Sequence, residues 1–206
     1  MEIQNAYNQW ASQYDTNANK TRDLEAVALR NNLNNIPFSN CLEIGCGTGK
    51  NTEWFVTKTT QVTSVDFSEE MLAKAKQKIT ASNVQFIQAD IKNNWEFGNH
   101  FDLVSFSLVL EHIKNLDDVF DKSNQALQNG GYIYIGELHP FKQYTGTKAR
   151  FETTEGIYVV ECYNHHISEF LNAAKKYNFR LIELGEHFDD DNKNNIPRIL
   201  TLVFQK

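Results

Sequence analysis

The sequence predicts an α/β protein built on one open, mostly parallel sheet with helices on both faces and an antiparallel pair of strands at its end. Short β-like runs and amphipathic helix-like segments alternate five times between residues 41 and 138, the pattern of a parallel sheet joined by helical crossovers. Two further β-like runs, FRLIELGEHFD and PRILTLVFQK, are separated only by the polar DDDNKNN. The run FDLVSFSLVL from Phe101 is apolar almost throughout, as a strand covered on both faces is.

Taken in order, the first strand runs from Cys41 to Gly45, and a helix opened by Lys50 and Asn51 carries Trp54 and Phe55. QVTSVD is the second strand, ending at Asp66. Ser68 then has the character of a helix N-cap, with Glu69 and Glu70 favourable in the first turn and Met71, Leu72, Ala75 and Ile79 on one face. VQFIQAD, Val84 to Asp90, is the third strand and FDLVSFSLVL the fourth. Leu116, Val119, Phe120 and Leu127 mark a helix that Asn129, Gly130 and Gly131 should end. GYIYIGEL is the fifth strand. Residues 139–163 read as an insert with one strand at IYVVECY, followed by a helix from about Ile167 to Tyr177.

At 206 residues the chain is expected to form one domain, residues 1–206, with residues 1–36 as an amino-terminal helical lid and 139–166 as a substrate-side insert. The net charge of −6 offers no basic footprint for a phosphate backbone, so nucleic acid is not an expected partner. Cys41, Cys46 and Cys162 form no CxxC pair, which suits a reducing compartment better than a disulfide framework. The longest apolar runs fall well below the roughly 18 residues of a membrane span, and MEIQNAYNQW is no secretory signal. The expectation is a cytoplasmic protein with no membrane association; the oligomeric state is not readable.

In open α/β sheets, ligands bind beyond the carboxyl ends of the strands. The first such end carries Gly45-Cys46-Gly47-Thr48-Gly49, a GxGxG with Lys50 where a nicotinamide site prefers a third small residue. The loop lacks P-loop spacing as well. Asp66, 21 residues beyond Gly45, ends the second strand, where a carboxylate can accept both hydroxyls of a ribose. Asp90 closes the third strand.

With YNQWASQYD, LEIGCGTG, VDFSEEML, FIQAD, FDLVSFSLVLEHI and LQNGGYIYIGE in that order, the chain resembles the class I S-adenosylmethionine-dependent methyltransferases. It looks most like their small-molecule branch, which includes ubiquinone-, menaquinone- and biotin-pathway enzymes. The resemblance runs from Tyr7 to about His139 and loosens beyond. It implies a Rossmann-like seven-stranded sheet in the order 3-2-1-4-5-7-6 with strand 7 antiparallel. It implies that S-adenosylmethionine is the methyl donor, leaving as S-adenosylhomocysteine, and that the partner is a small-molecule methyl acceptor.

The resemblance also assigns roles to matched positions. Gly45, Cys46, Gly47, Thr48 and Gly49 would approach the donor, with Glu43 either organising that loop or reaching the donor's amino group through water. Asp66 would take the ribose hydroxyls, Phe67 and Met71 would line the adenine, whose amino edge would meet Asp90 and Ile91, and Ser68 would be a further donor contact. Phe106 and Ser107 would sit under the methionine part, and Tyr14 would fold over the donor. Asn8 stands where the family pattern has Asp, so the lid is similar but not identical.

Methyl transfer asks mainly for alignment of a nucleophile with the S–CH3 bond, since the sulfonium supplies the activation; a general base matters only for a protonated nucleophile. The candidate catalytic residues are His112 and His139. His112 is read either as a base near the donor or as a helix-start residue ordering a loop. His139, before Pro140, is expected to face the pocket. Candidate acceptor contacts are Tyr7, Trp10, His139, Tyr144, Arg150 and His166, with Phe141 and Phe151 as further aromatic wall; simple packing is the alternative for each. No metal is expected, because His165 and His166 diverge on any regular element and nothing completes a zinc spacing. Cys46 is read as a small residue that tolerates close approach, and the DDDN run as a solvated loop tip. Rival functions are methylation of tRNA or protein, a non-catalytic cofactor-binding scaffold, and a nicotinamide oxidoreductase, which Lys50 disfavours.

Overall fold

The central feature of the computed structural model, which describes residues 3–16, 18–148, 150–153 and 156–206, is a seven-stranded sheet. Its strands are β1 (Asn40–Ile44), β2 (Gln61–Asp66), β3 (Val84–Gln88), β4 (Phe101–Ser107), β5 (Leu127–Leu138), β8 (Arg180–His187) and β9 (Ile199–Gln205). They lie in the order β3-β2-β1-β4-β5-β9-β8. With the two strands of the insert set aside, this is the expected 3-2-1-4-5-7-6 order, and β9 runs antiparallel to both β5 and β8.

Alternation along the strands sends two sets of side chains to opposite faces. Leu42, Ile44, Val104, Phe106, Ile133 and Ile135 pack under α5 (Leu116–Ala126) and α7 (Ile167–Lys176), meeting Phe120 and Phe170. Cys41, Leu103, Tyr134 and Val203 face the other way, onto Leu29 and Leu33 of α2 (Lys20–Leu33) and Phe55 of α3 (Thr52–Lys58). β4 is buried at five of its seven positions, as its apolar sequence requires. α4 (Glu69–Lys78) covers β2 and β3 and starts as predicted: the Ser68 hydroxyl accepts the Met71 backbone N–H at 3.1 Å.

The structure corrects the sequence reading at three places. α5 stops at Ala126, and Leu127 already pairs with Phe101 as the start of β5, ahead of the glycines expected to end the helix. The fourth strand ends at Ser107, because Leu108 takes a left-handed conformation (φ 57°) and turns the chain into a short 3-10 helix, Leu110–His112. The insert holds more than one strand: α6 (Pro140–Tyr144) is followed by a hairpin of β6 (Arg150–Thr153) and β7 (Gly156–Val159).

The amino-terminal segment divides. α2 packs on β5 and β9 with Glu25, Ala26, Ala28, Leu29, Asn32 and Leu33 buried, so it belongs to the body. α1 (Ile3–Trp10) packs on α4 instead, at the carboxyl ends of the strands.

Candidate functional site

Parallel register places the ends of β1, β2 and β4 side by side. Ile44 is level with Val65 of β2 and with Phe106 of β4, so Gly45, Asp66 and Ser107 emerge together. The loop after β1 turns at once. The Val65 carbonyl accepts the N–H of Gly45 at 2.7 Å and of Cys46 at 3.0 Å. Gly45 is held at φ 72°, and a Cβ there would lie 2.1 Å from Val109 Cγ2. The close approach inferred from the glycines is thus, at Gly45, an approach to another part of the same chain.

Asp66 fastens that loop. Its Oδ2 accepts the Gly47 N–H at 2.7 Å and its Oδ1 accepts the Ser68 N–H at 2.8 Å. Burial raises its pKa, against the lowering effect of these backbone donors.

Around this point opens a cleft of about 810 Å³, counting its mouth. Its walls include Tyr14, Gly45, Gly47, Asp66, Phe67, Ser68, Met71, Asp90, Ile91 and Ser107 from the predicted set, together with Tyr7 and His112. Its roof is α1, fixed by three side chains. Gln4 donates to the Phe67 carbonyl at 2.9 Å, Asn8 Oδ1 accepts the Ser68 hydroxyl at 2.6 Å, and the Tyr7 hydroxyl meets His112 Nε2 at 2.7 Å. Asn8, noted only as a departure from a pattern, is a fastening of the roof.

A smaller recess of about 460 Å³ adjoins the cleft and shares Tyr14, Gly45, Gly47 and Ser107 with it. Glu43, Cys46 and Thr48 open here, beside Arg22, Glu25 and Asn51. Glu43 accepts hydrogen bonds from Thr52 (2.5 Å) and Ser64 (2.8 Å), and burial pushes its pKa up to about 7. Glu25 accepts from Asn51 at 3.0 Å and from the Tyr134 hydroxyl at 3.2 Å. Arg22 stacks 3.9 Å from the centroid of the Tyr14 ring and donates to the Tyr14 carbonyl. Burial raises the Tyr14 pKa to about 12.

Several predicted residues lie elsewhere. Phe106 is fully buried in the core against Trp95, because its side chain leaves the sheet under α5. Gly49 packs against α4, where a Cβ would lie 2.6 Å from Ile79 Cδ1. Trp10 stacks between Tyr7 and Tyr14 and buries its ring. His139 does not face the cleft: it is fully buried as the N-cap of α6, its Nδ1 accepting the Phe141 N–H at 3.2 Å and its Nε2 donating to Glu186 at 3.0 Å. Burial lowers its pKa. Tyr144 and His166 hydrogen-bond each other at 2.6 Å on an exposed surface of the insert. The Arg150 and Phe151 side chains lie outside the described residues.

Sequence reasoning missed the lining residues Gln4, Lys92 and Val109, and also Arg22 and Glu25 of α2 beside the recess. Among the described residues, Glu111, His112 and Cys162 form a group with ligand atoms within 4.8 Å of one another. Both His112 nitrogens already have protein partners: Tyr7 at Nε2, and the Glu161 carbonyl at Nδ1, 2.9 Å away.

Residues 42–135 match the family described as a methyltransferase domain. An uncharacterized methyltransferase of Emericella nidulans, AN0656, is 24% identical over 227 residues, covering 90% of this chain and 78% of that protein. The malonyl-[acyl-carrier protein] O-methyltransferase of Enterobacter lignolyticus is 29% identical over 120 residues; the match covers 58% of this chain and 47% of that enzyme. The crystal structure of an S-adenosylmethionine-dependent methyltransferase from Mesorhizobium loti superposes with a TM-score of 0.74 at 21% identity, covering 90% of this chain and all of that one. The chain is thus similar to methyltransferases over residues 42–135, and it shares its fold with S-adenosylmethionine-dependent methyltransferases of known structure.

Proposed function

We propose that the chain transfers a methyl group from S-adenosylmethionine to O, N or C of a small-molecule acceptor held under α1. The observation that carries this reading is Asp66. It is a half-buried carboxylate at the end of β2, tied to Gly47 and Ser68, that lines the cleft.

The residues present fit the donor. Asp66 would receive the ribose hydroxyls, and Phe67, Met71, Asp90 and Ile91 would surround the base. A Cβ at Gly47 would meet nothing nearer than Tyr14 Cε1 at 3.9 Å, so the loop presents bare backbone there. The adjoining recess offers Arg22 for a carboxylate and Glu25 and Glu43 for an ammonium group, which suits an amino-acid end. When bound, the sulfonium supplies an activated methyl group. The protein's contribution is alignment and exclusion of water, worth about 7–11 kcal/mol when the geometry is right.

A roofed cleft with apolar walls at Ile3, Ile91 and Ile113 favours a small acceptor over a polymer, as does the net charge of −6. The similarity to a malonyl-[acyl-carrier protein] O-methyltransferase makes a carboxylate one acceptor class to screen, alongside phenols and amines.

Calorimetry with S-adenosylhomocysteine tests the donor site. Asp66→Ala should weaken binding at least about tenfold, as loss of charge-assisted hydrogen bonds worth about 1.5–3 kcal/mol implies. Unchanged affinity would refute the ribose assignment, and wild-type binding of NADH alone would overturn the reading. Release of S-adenosylhomocysteine across an acceptor library identifies the second substrate.

A further inference from the structure

We propose that Tyr7 and His112 form a proton relay whose first member is carried by the roof helix. Tyr7 receives the acceptor's proton and passes its own to His112 as the methyl group moves. The proposal rests on the methyl-transfer reading above and adds the route of the proton.

Hydrogen-bond bookkeeping around His112 fixes the direction. The Glu161 carbonyl, 2.9 Å from Nδ1, can only accept, so Nδ1 carries the hydrogen and a neutral ring presents a lone pair at Nε2. The Tyr7 hydroxyl occupies that lone pair at 2.7 Å; Glu111 Oε1, at 3.9 Å, is outside hydrogen-bond reach. Tyr7 therefore donates. The docked Tyr7 hydroxyl occupies Nε2 and the Tyr7 side chain lines the cleft, so in this relay the acceptor hands its proton to the Tyr7 oxygen.

Burial raises the Tyr7 pKa well above 10, with Tyr14, Glu111, Cys162 and Asp66 adding to the effect. A standing phenolate is thereby disfavoured, and the hydroxyl serves as a conduit in which one proton arrives as another leaves. The product imidazolium faces Glu111, a buried carboxyl whose pKa burial raises and the His112 charge and a hydrogen bond from Cys162 lower. Cys162 completes the group, its Sγ 4.0 Å from Nδ1.

The step balances. The acceptor's bond to hydrogen breaks, and its electron pair forms the bond to the methyl carbon. The S–CH3 bond breaks with its pair retained by sulfur, leaving a neutral thioether. The released proton joins Tyr7 Oη while the former Tyr7 proton joins His112 Nε2, from which it returns to solvent when α1 lifts.

The first test needs no acceptor. In 15N-histidine-labelled protein saturated with S-adenosylhomocysteine, NMR should show His112 protonated at Nδ1 with a hydrogen-bonded, unprotonated Nε2. Tyr7→Phe should leave the Nδ1 hydrogen in place and move Nε2 to the value of a bare imine nitrogen. An Nε2-protonated ring, or an Nε2 resonance indifferent to Tyr7→Phe, overturns the proposal.

With the acceptor returned by the screen, Tyr7→Phe should lower kcat by about 10²–10⁴, the range for lost general acid-base catalysis, and should remove the alkaline-rising limb of the pH-kcat profile. Its S-adenosylhomocysteine affinity should fall no more than about threefold, as for one neutral hydrogen bond. Full turnover by Tyr7→Phe with intact S-adenosylhomocysteine binding sinks the relay and leaves the methyl-transfer reading standing. Failure of the wild type to bind S-adenosylhomocysteine overturns both.

Discussion

Gly45→Ala should be the most damaging single-methyl change in the glycine loop, for a reason unrelated to any ligand. The new Cβ would lie 2.1 Å from Val109 Cγ2, and the backbone there has φ 72°. Holding a side-chain-bearing residue in the left-handed region costs roughly 1–2 kcal/mol. Forcing Val109 aside adds roughly 1–3 kcal/mol, for a total of about 2–5 kcal/mol. In a domain of this length each kcal/mol moves Tm by about 2–4 °C, so a loss of about 4–20 °C is expected. Val109→Ala alone, at a half-buried position, should cost about 1 kcal/mol. The double variant should recover most of the steric part but none of the backbone part, giving a favourable coupling of about 1–3 kcal/mol. Urea denaturation of the four proteins measures it. A double variant no more stable than the sum of its singles would refute the contact as the source of the damage.

Stability should fall as pH rises from about 5 to 8. Burial pushes Glu137 from its ordinary 4.5 up to about 8 and Glu43 up to about 7, with Glu25, Glu111 and Asp66 moved the same way. The folded chain therefore holds protons that the unfolded chain has released, and the slope is negative. Glu137→Gln should flatten that dependence, and a wild type with a higher urea midpoint at pH 8.5 than at pH 5.5 would contradict the assignment. His139→Ala removes the α6 cap and should cost about 0.5–2 kcal/mol while leaving S-adenosylhomocysteine affinity unchanged in calorimetry; a large affinity loss would restore His139 to the site. Asn8→Ala should speed S-adenosylhomocysteine dissociation in stopped-flow measurements by freeing the Ser68 hydroxyl, whereas Asn8→Asp, which keeps the acceptor oxygen, should not.

The sheet was legible because its signals are local. QVTSVD, the Ser68 cap and the apolar β4 each depend on neighbours in sequence, and the strand-end rule then gathers Gly47, Asp66, Asp90 and Ser107 without further information. Misplaced residues depended on direction or distance. Phe106 and Ser107 are adjacent, and pleating alone decides that the first enters the core while the second reaches the cleft. His139 was drawn toward the site by its position after β5, but its side chain turns to cap the helix that Pro140 starts. Leu127 was assigned to α5 by periodicity, whereas pairing with Phe101 takes it into β5. Nothing near Arg22 or Glu25 in sequence announces that α2 brings them to the recess beside Glu43.

The roof has a kinetic consequence. Gln4, Tyr7 and Asn8 fasten α1 to Phe67, His112 and Ser68, residues that are themselves walls of the donor cleft. Under the proposed donor placement, spent donor and methylated product leave through the same opening once the helix detaches. These hydrogen bonds must break for each cycle and re-form for the next, which would make the rate of helix undocking a ceiling on turnover that a better nucleophile cannot raise.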